Sequence, residues 1–116
     1  MVLVPLLGSP VKEAVLVYIL THQEAYPSEM AASLGRALVV VQNQLSRLED
    51  GGVVVSRLRG KVRLYQLNPR YPFRKELERL LWRALEFYPT DERERMYTPR
   101  LRPRRAGKPV RYVEGR

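Results

Sequence analysis

Residues 26–69 constrain the fold more than any other stretch. Residues 26–35 read as a short helix: Met30, Ala31 and Leu34 share a face, Ser28 can cap the start, and Gly35 stands where a helix end favours a left-handed residue. A second helix follows over residues 37–50. Its Val41, Leu45 and Leu48 fall at i, i+4 and i+7, one helical face. The positions between them carry Gln42, Asn43, Ser46 and Arg47, neutral or basic hydrogen-bonding groups with no acid among them. Gly51-Gly52 ends that helix. Residues 53–59 and 62–68 are β-rich runs joined through Gly60-Lys61, a short glycine-containing turn, and Pro69 stops the second run. Helix, tight turn, helix and hairpin is the order that places a second helix in the DNA major groove.

The run Val41-Gln-Asn-Gln-Leu-Ser-Arg-Leu-Glu-Asp-Gly-Gly-Val53 resembles the recognition helix of ArsR/MarR-type winged-helix transcription regulators. The family pattern is a valine, two DNA-facing polar positions, a leucine, then Leu-Glu-x-x-Gly-Leu/Val. The hairpin's close, Tyr65-Gln-Leu-Asn-Pro69, and the opening Leu6-Leu-Gly-Ser-Pro10 are similar to the same family, so the resemblance covers residues 6–88. It implies a mainly α chain with a small β-hairpin: a winged helix-turn-helix (α+β) at residues 1–88, with terminal dimerisation helices. It also implies a DNA-binding transcription regulator, a homodimer on double-stranded operator DNA. Gln42, Asn43, Ser46 and Arg47 would read bases or position the helix, amides suiting adenine and arginine suiting guanine. Arg57, Arg59, Lys61 and Arg63 would meet phosphates or the minor groove beside the wing. Members of the family that sense metals use Cys or His clusters. This chain has no cysteine and a single histidine, His22, so neither a metal nor a cofactor is expected.

One segment departs from the family. Recognition helices there begin with polar residues; here the start is Ala37-Leu38-Val39-Val40. Leu38 and Val39 are expected to face outward, where apolar groups can touch thymine methyls but donate nothing to phosphates. This departure leaves open a protein-interaction module, antitoxin-like or the partner of a nucleotidyltransferase. A nonspecific architectural nucleic-acid binder is the third reading.

The net charge of +9 favours an acidic partner, and its distribution favours nucleic acid. Residues 1–50 hold three bases and five acids, residues 51–75 seven bases and no acid, and residues 97–116 seven bases and one acid. The absence of cysteine fits a reducing cytoplasm. Met1 to Leu7 lacks the basic start of a signal peptide, and Lys12 and Glu13 interrupt the apolar run before it could span a bilayer.

Ser9-Pro10 signals the start of the first helix, which runs to about His22. After Glu13 it is apolar on every side, and such a helix must be covered on more than one face. A partner subunit could cover the remaining face, or residues 2–7 could fold back over it. Residues 23–26 form a connector able to pair briefly with the hairpin. A last helix over residues 73–88 carries the stripe Leu77, Leu80, Leu81, Ala84, Leu85 and Tyr88, read as a dimerisation face. Beyond Pro89 the chain is charged. Residues 90–96 could add one or two helical turns, and the segment 89–116 as a whole reads as an extended basic tail. Nothing in the sequence has the spacing of an enzyme's site: there is no phosphate-binding glycine loop and no grouping of His with carboxylates.

Overall fold

The structure, a computed structural model, describes residues 1–97. Its elements are α1 (Val4–Leu7), α2 (Pro10–His22), α3 (Pro27–Leu34), α4 (Leu38–Asp50), β1 (Val54–Arg59), β2 (Val62–Leu67), α5 (Arg74–Leu85) and α6 (Thr90–Tyr97). Residues 98–116, including most of the expected tail, lie outside the described residues.

The core is built round α2. Ser9 is extended and its Oγ accepts the Lys12 N–H at 3.1 Å, while Pro10 supplies a first position that needs no N–H. Val11 and every residue from Glu13 to Ile19 are buried. The helix packs on α1, α3, α4, α5, α6 and β2. Its all-round apolarity is therefore met within the chain. The N-terminal arm covers the face that a partner subunit was expected to cover, and α6 joins it.

Among the described residues Glu13 is the one charged residue in this core, and it is fully buried. Its carboxylate accepts the Val2 N–H at 3.0 Å, the Leu3 N–H at 2.9 Å and the Tyr88 hydroxyl at 2.6 Å. It lies in the first turn of α2, where the helix presents its positive end. Burial, then the hydrogen bond to Glu13, push the Tyr88 phenol well above its ordinary pKa, so the hydroxyl remains a donor. The Met1 amino group meets Glu92 at 2.7 Å, which fastens the arm to α6 as well.

The stripe on α5 also turns inward. Leu81, Ala84 and Leu85 are buried together with Tyr88, and Leu77 packs against the same core. Most of the expected dimerisation stripe is thus part of the chain's own interior, because α5 lies directly on α2, while Leu80 is partly exposed. A boundary at residue 88 does not separate core from tail either: α6 follows, Met96 is buried, and the Thr21 hydroxyl donates to the Met96 carbonyl at 3.0 Å.

α3 starts two residues earlier than a Ser28 cap would allow. Pro27 takes the first helical position, Tyr26 precedes it in extended conformation, and no side chain caps the helix. Gly35 ends it at φ +66°, a left-handed value that disfavours any residue with a Cβ. α2 and α3 are tied by the Tyr18 hydroxyl, 2.8 Å from Glu29 Oε2 and 3.3 Å from Ser33 Oγ. The hairpin pairs Val54 with Leu67 and Arg59 with Val62, turning at Gly60 with φ +66°. The connector does pair with it: Ala25 exchanges two backbone hydrogen bonds with Tyr65, at 3.1 and 2.8 Å. The result is a winged helix-turn-helix with the hairpin as its wing.

Candidate nucleic-acid interface

α4 has a sharp division of faces. Val41 and Leu45 are fully buried and Leu48 nearly so, while Gln42, Asn43, Ser46 and Arg47 are exposed. At 100° per residue, Val39, Asn43, Ser46 and Asp50 line up along the centre of the outward face, with Gln42 and Arg47 on its two flanks. The four polar residues named from the sequence thus lie together on one solvent-facing surface. Asp50 closes that surface at the C-terminal end, where its charge opposes phosphate. The outward face is therefore free of acid from Val39 to Arg47.

That N-terminal end is apolar and uncapped. Ala37 offers no side-chain cap, and Leu38, Val39 and Val40 are 42%, 60% and 39% exposed. The outward placement expected for Leu38 and Val39 is found, and Val40 shares it.

The four wing bases do not form one patch. In the β1–β2 register, Arg57 and Arg59 lie on one face of the hairpin with Leu64 and Val62. Arg63 lies on the other, opposite Leu58, and Lys61 sits in the turn. Arg57 is already engaged, its Nη2 2.9 Å from Glu24 Oε1 in an exposed ion pair. Arg63 is held too: its Nη1 donates to Ser56 Oγ at 3.0 Å, and that hydroxyl donates to Glu49 Oε2 at 2.7 Å. Tyr65, opposite Ser56, completes the group; partial burial, then the Glu49 charge, raise its phenol pKa. Arg59 and Lys61, both exposed, are in no ion pair among the described residues.

The chain Glu49–Ser56–Arg63 links the end of α4 to both strands of the wing. Asn68 fixes the wing's base: its side-chain amide donates to the Gly52 carbonyl at 2.9 Å, and its Oδ1 accepts the Arg70 N–H at 2.9 Å. The acids Glu24 and Glu49 were not among the residues named from the sequence. The Gly60-Lys61 turn alone sets a register that puts Ser56 and Arg63 on one face, so that half of the chain was legible. Glu24 lies 33 positions from Arg57 and needed the fold.

The sequence matches no family model and no curated protein. Among solved structures it is similar to a mutant of Lactococcus lactis ZitR, with TM-score 0.51, 18% identity, and coverage of 74% of this chain and 66% of that one. The same ZitR mutant in apo form gives TM-score 0.50 and 22% identity, covering 74% of this chain and 73% of that one. The adhesin competence repressor AdcR of Streptococcus pyogenes gives 0.49 and 15%, with 74% and 72% covered. The chain thus spans just under two thirds of the first ZitR chain's length. At these identities the property shared with ZitR is the winged-helix fold.

Proposed function

We propose that the protein is a DNA-binding transcription regulator that docks α4 in the major groove and lays its wing along the adjacent backbone. The observation that carries this reading is the outward surface of α4. It presents two amides, a hydroxyl and a guanidinium while its opposite face is locked into the core, and it adjoins a hairpin region with seven bases and no acid. Asn43 and Arg47 are the residues placed to discriminate adenine and guanine, each good bidentate contact being worth roughly 1–3 kcal/mol. Asn43→Ala and Arg47→Ala are therefore expected to weaken binding to a site selected from random duplexes about tenfold or more, with little change on unselected DNA. Fluorescence-anisotropy titrations on both duplexes measure this. Equal losses on the two would leave an architectural binder, without sequence reading.

We further propose that the regulator acts as a homodimer through surfaces other than the α5 stripe. Support comes from the apolar groups left outside the core: Leu6 on α1, Trp82 on α5 and Phe87 just past it, 66%, 42% and 65% exposed. The outer face of α5 mixes Lys75, Glu76, Arg79, Arg83 and Glu86, both signs on one surface, which suits packing against its own copy about a two-fold axis. Sedimentation should show a dimer at about 10 µM, a concentration typical of weak self-association. Trp82→Glu should give folded monomer; a wild-type monomer at that concentration would rule the dimer out.

A further inference from the structure

We propose that the first turn of α4 reads the C5 methyl groups of thymine, with Val39 as the contacting residue and Leu38 and Val40 flanking it. The inference rests on the DNA-binding reading above and names what that same surface recognises. Three consecutive aliphatic side chains stand exposed on the turn that a helix-turn-helix sends deepest into the groove. Val39, at 60% exposure, heads the line that continues through Asn43 and Ser46. No hydroxyl or amide occurs between Ala37 and Val41, so this turn has no side-chain donor for a base or a phosphate.

The major-groove edges of adenine, guanine and cytosine present donors and acceptors; thymine adds a methyl group. An aliphatic side chain pressed on a polar edge removes water without replacing its hydrogen bonds, which is unfavourable. Pressed on a methyl, it buries apolar surface on both sides. The turn therefore both favours thymine and disfavours the alternatives, and Asn43, one turn further on, has the donor and acceptor that adenine requires. Charge complementarity identifies the occupant as a nucleic acid duplex. The charged residues of the wing are all basic, and the turn itself carries no acid: the two acids of α4, Glu49 and Asp50, sit at the end of the helix that joins the wing, where Glu49 is taken up by Ser56. DNA rather than RNA follows from the groove: an A-form major groove is too narrow for a helix to read, and uracil has no C5 methyl group.

The test uses the full chain and duplexes selected from a random pool, which should be enriched in A·T pairs. Replacing thymines in a selected duplex by deoxyuridine removes only the methyl groups. Wild-type affinity should fall about fourfold for each contacted methyl, the effect of burying one such group. Val39→Ser, at an exposed position that leaves the fold intact by circular dichroism, should bind thymine and uracil duplexes equally. If wild type binds both equally while Asn43→Ala still loses preference for the selected site, the DNA reading stands and the thymine reading falls. If Val39→Ser keeps the thymine preference, the methyl acts through DNA shape and the proposal is overturned. If no duplex is preferred over random DNA, or a protein occupies this turn instead, both readings fall.

Discussion

Glu13→Ala is expected to destabilise the fold by about 2–4 kcal/mol, within reach of the whole stability of a small domain. The carboxylate is fully buried and satisfies three donors at once: two backbone N–H groups of the arm and the Tyr88 hydroxyl. Alanine removes the acceptor and leaves a cavity where it stood. The Tyr88 phenol, held protonated by burial, then keeps only the Met1 sulfur at 3.5 Å, a weak acceptor, and an unsatisfied buried donor costs about 1–3 kcal/mol. The arm can recover its two bonds from water by detaching, but detachment exposes Leu3 and Leu7, which pack on the core. Either route is unfavourable. Thermal melts followed by circular dichroism should show a midpoint lower by about 10 °C or more. Tyr88→Phe should cost less, because it removes one donor and leaves the arm's two bonds to Glu13 in place. The double variant should fall short of the sum of the two, since both break the same hydrogen bond. A Glu13→Ala protein as stable as wild type would show that the bonds to Glu13 are not what holds the arm.

Glu13 also marks where sequence reading stopped. The periodicity of Val41, Leu45 and Leu48 located α4 and its exposed face, because one helix against one core leaves a simple pattern. Gly35 and the Gly60-Lys61 turn fixed the other boundaries through backbone conformations that few residues tolerate. α2 was different. A helix apolar on every side gives the same pattern whether its second face meets another subunit or its own chain's arm, and only the folded arm distinguishes them. Glu13 interrupts the apolar run in sequence yet lies inside the core, since a carboxylate can be buried once donors from distant positions converge on it. Those donors, at positions 2, 3 and 88, leave no periodic trace. On the interface the limit was similar. Counting seven bases and no acid over residues 51–75 located positive charge but not its availability, which depends on Glu24 and Glu49 reaching in from outside that window.

That availability sets the second large effect. Arg59→Ala with Lys61→Ala should flatten the salt dependence of DNA binding by about two units of log–log slope, nearly one for each lost phosphate contact. Between 50 and 200 mM salt, roughly tenfold of the variant's deficit should then disappear, because the wild type loses those two contacts' worth of counterion release as salt rises. These two cations are singled out because they are exposed and in no ion pair among the described residues, whereas Arg57 and Arg63 are already bound to Glu24 and to the Ser56–Glu49 chain. An exposed ion pair such as Arg57–Glu24 adds little to stability, but it does cancel a charge that a phosphate would otherwise meet. Glu24→Gln should therefore act in the opposite sense. It releases Arg57, tightens binding at low salt, and steepens the slope by up to about one unit. Isothermal or anisotropy titrations of the three proteins at four salt concentrations measure both effects. If the Arg59/Lys61 variant keeps the wild-type slope while Glu24→Gln steepens it, the phosphates lie against the Arg57 face at the wing's base rather than at its tip.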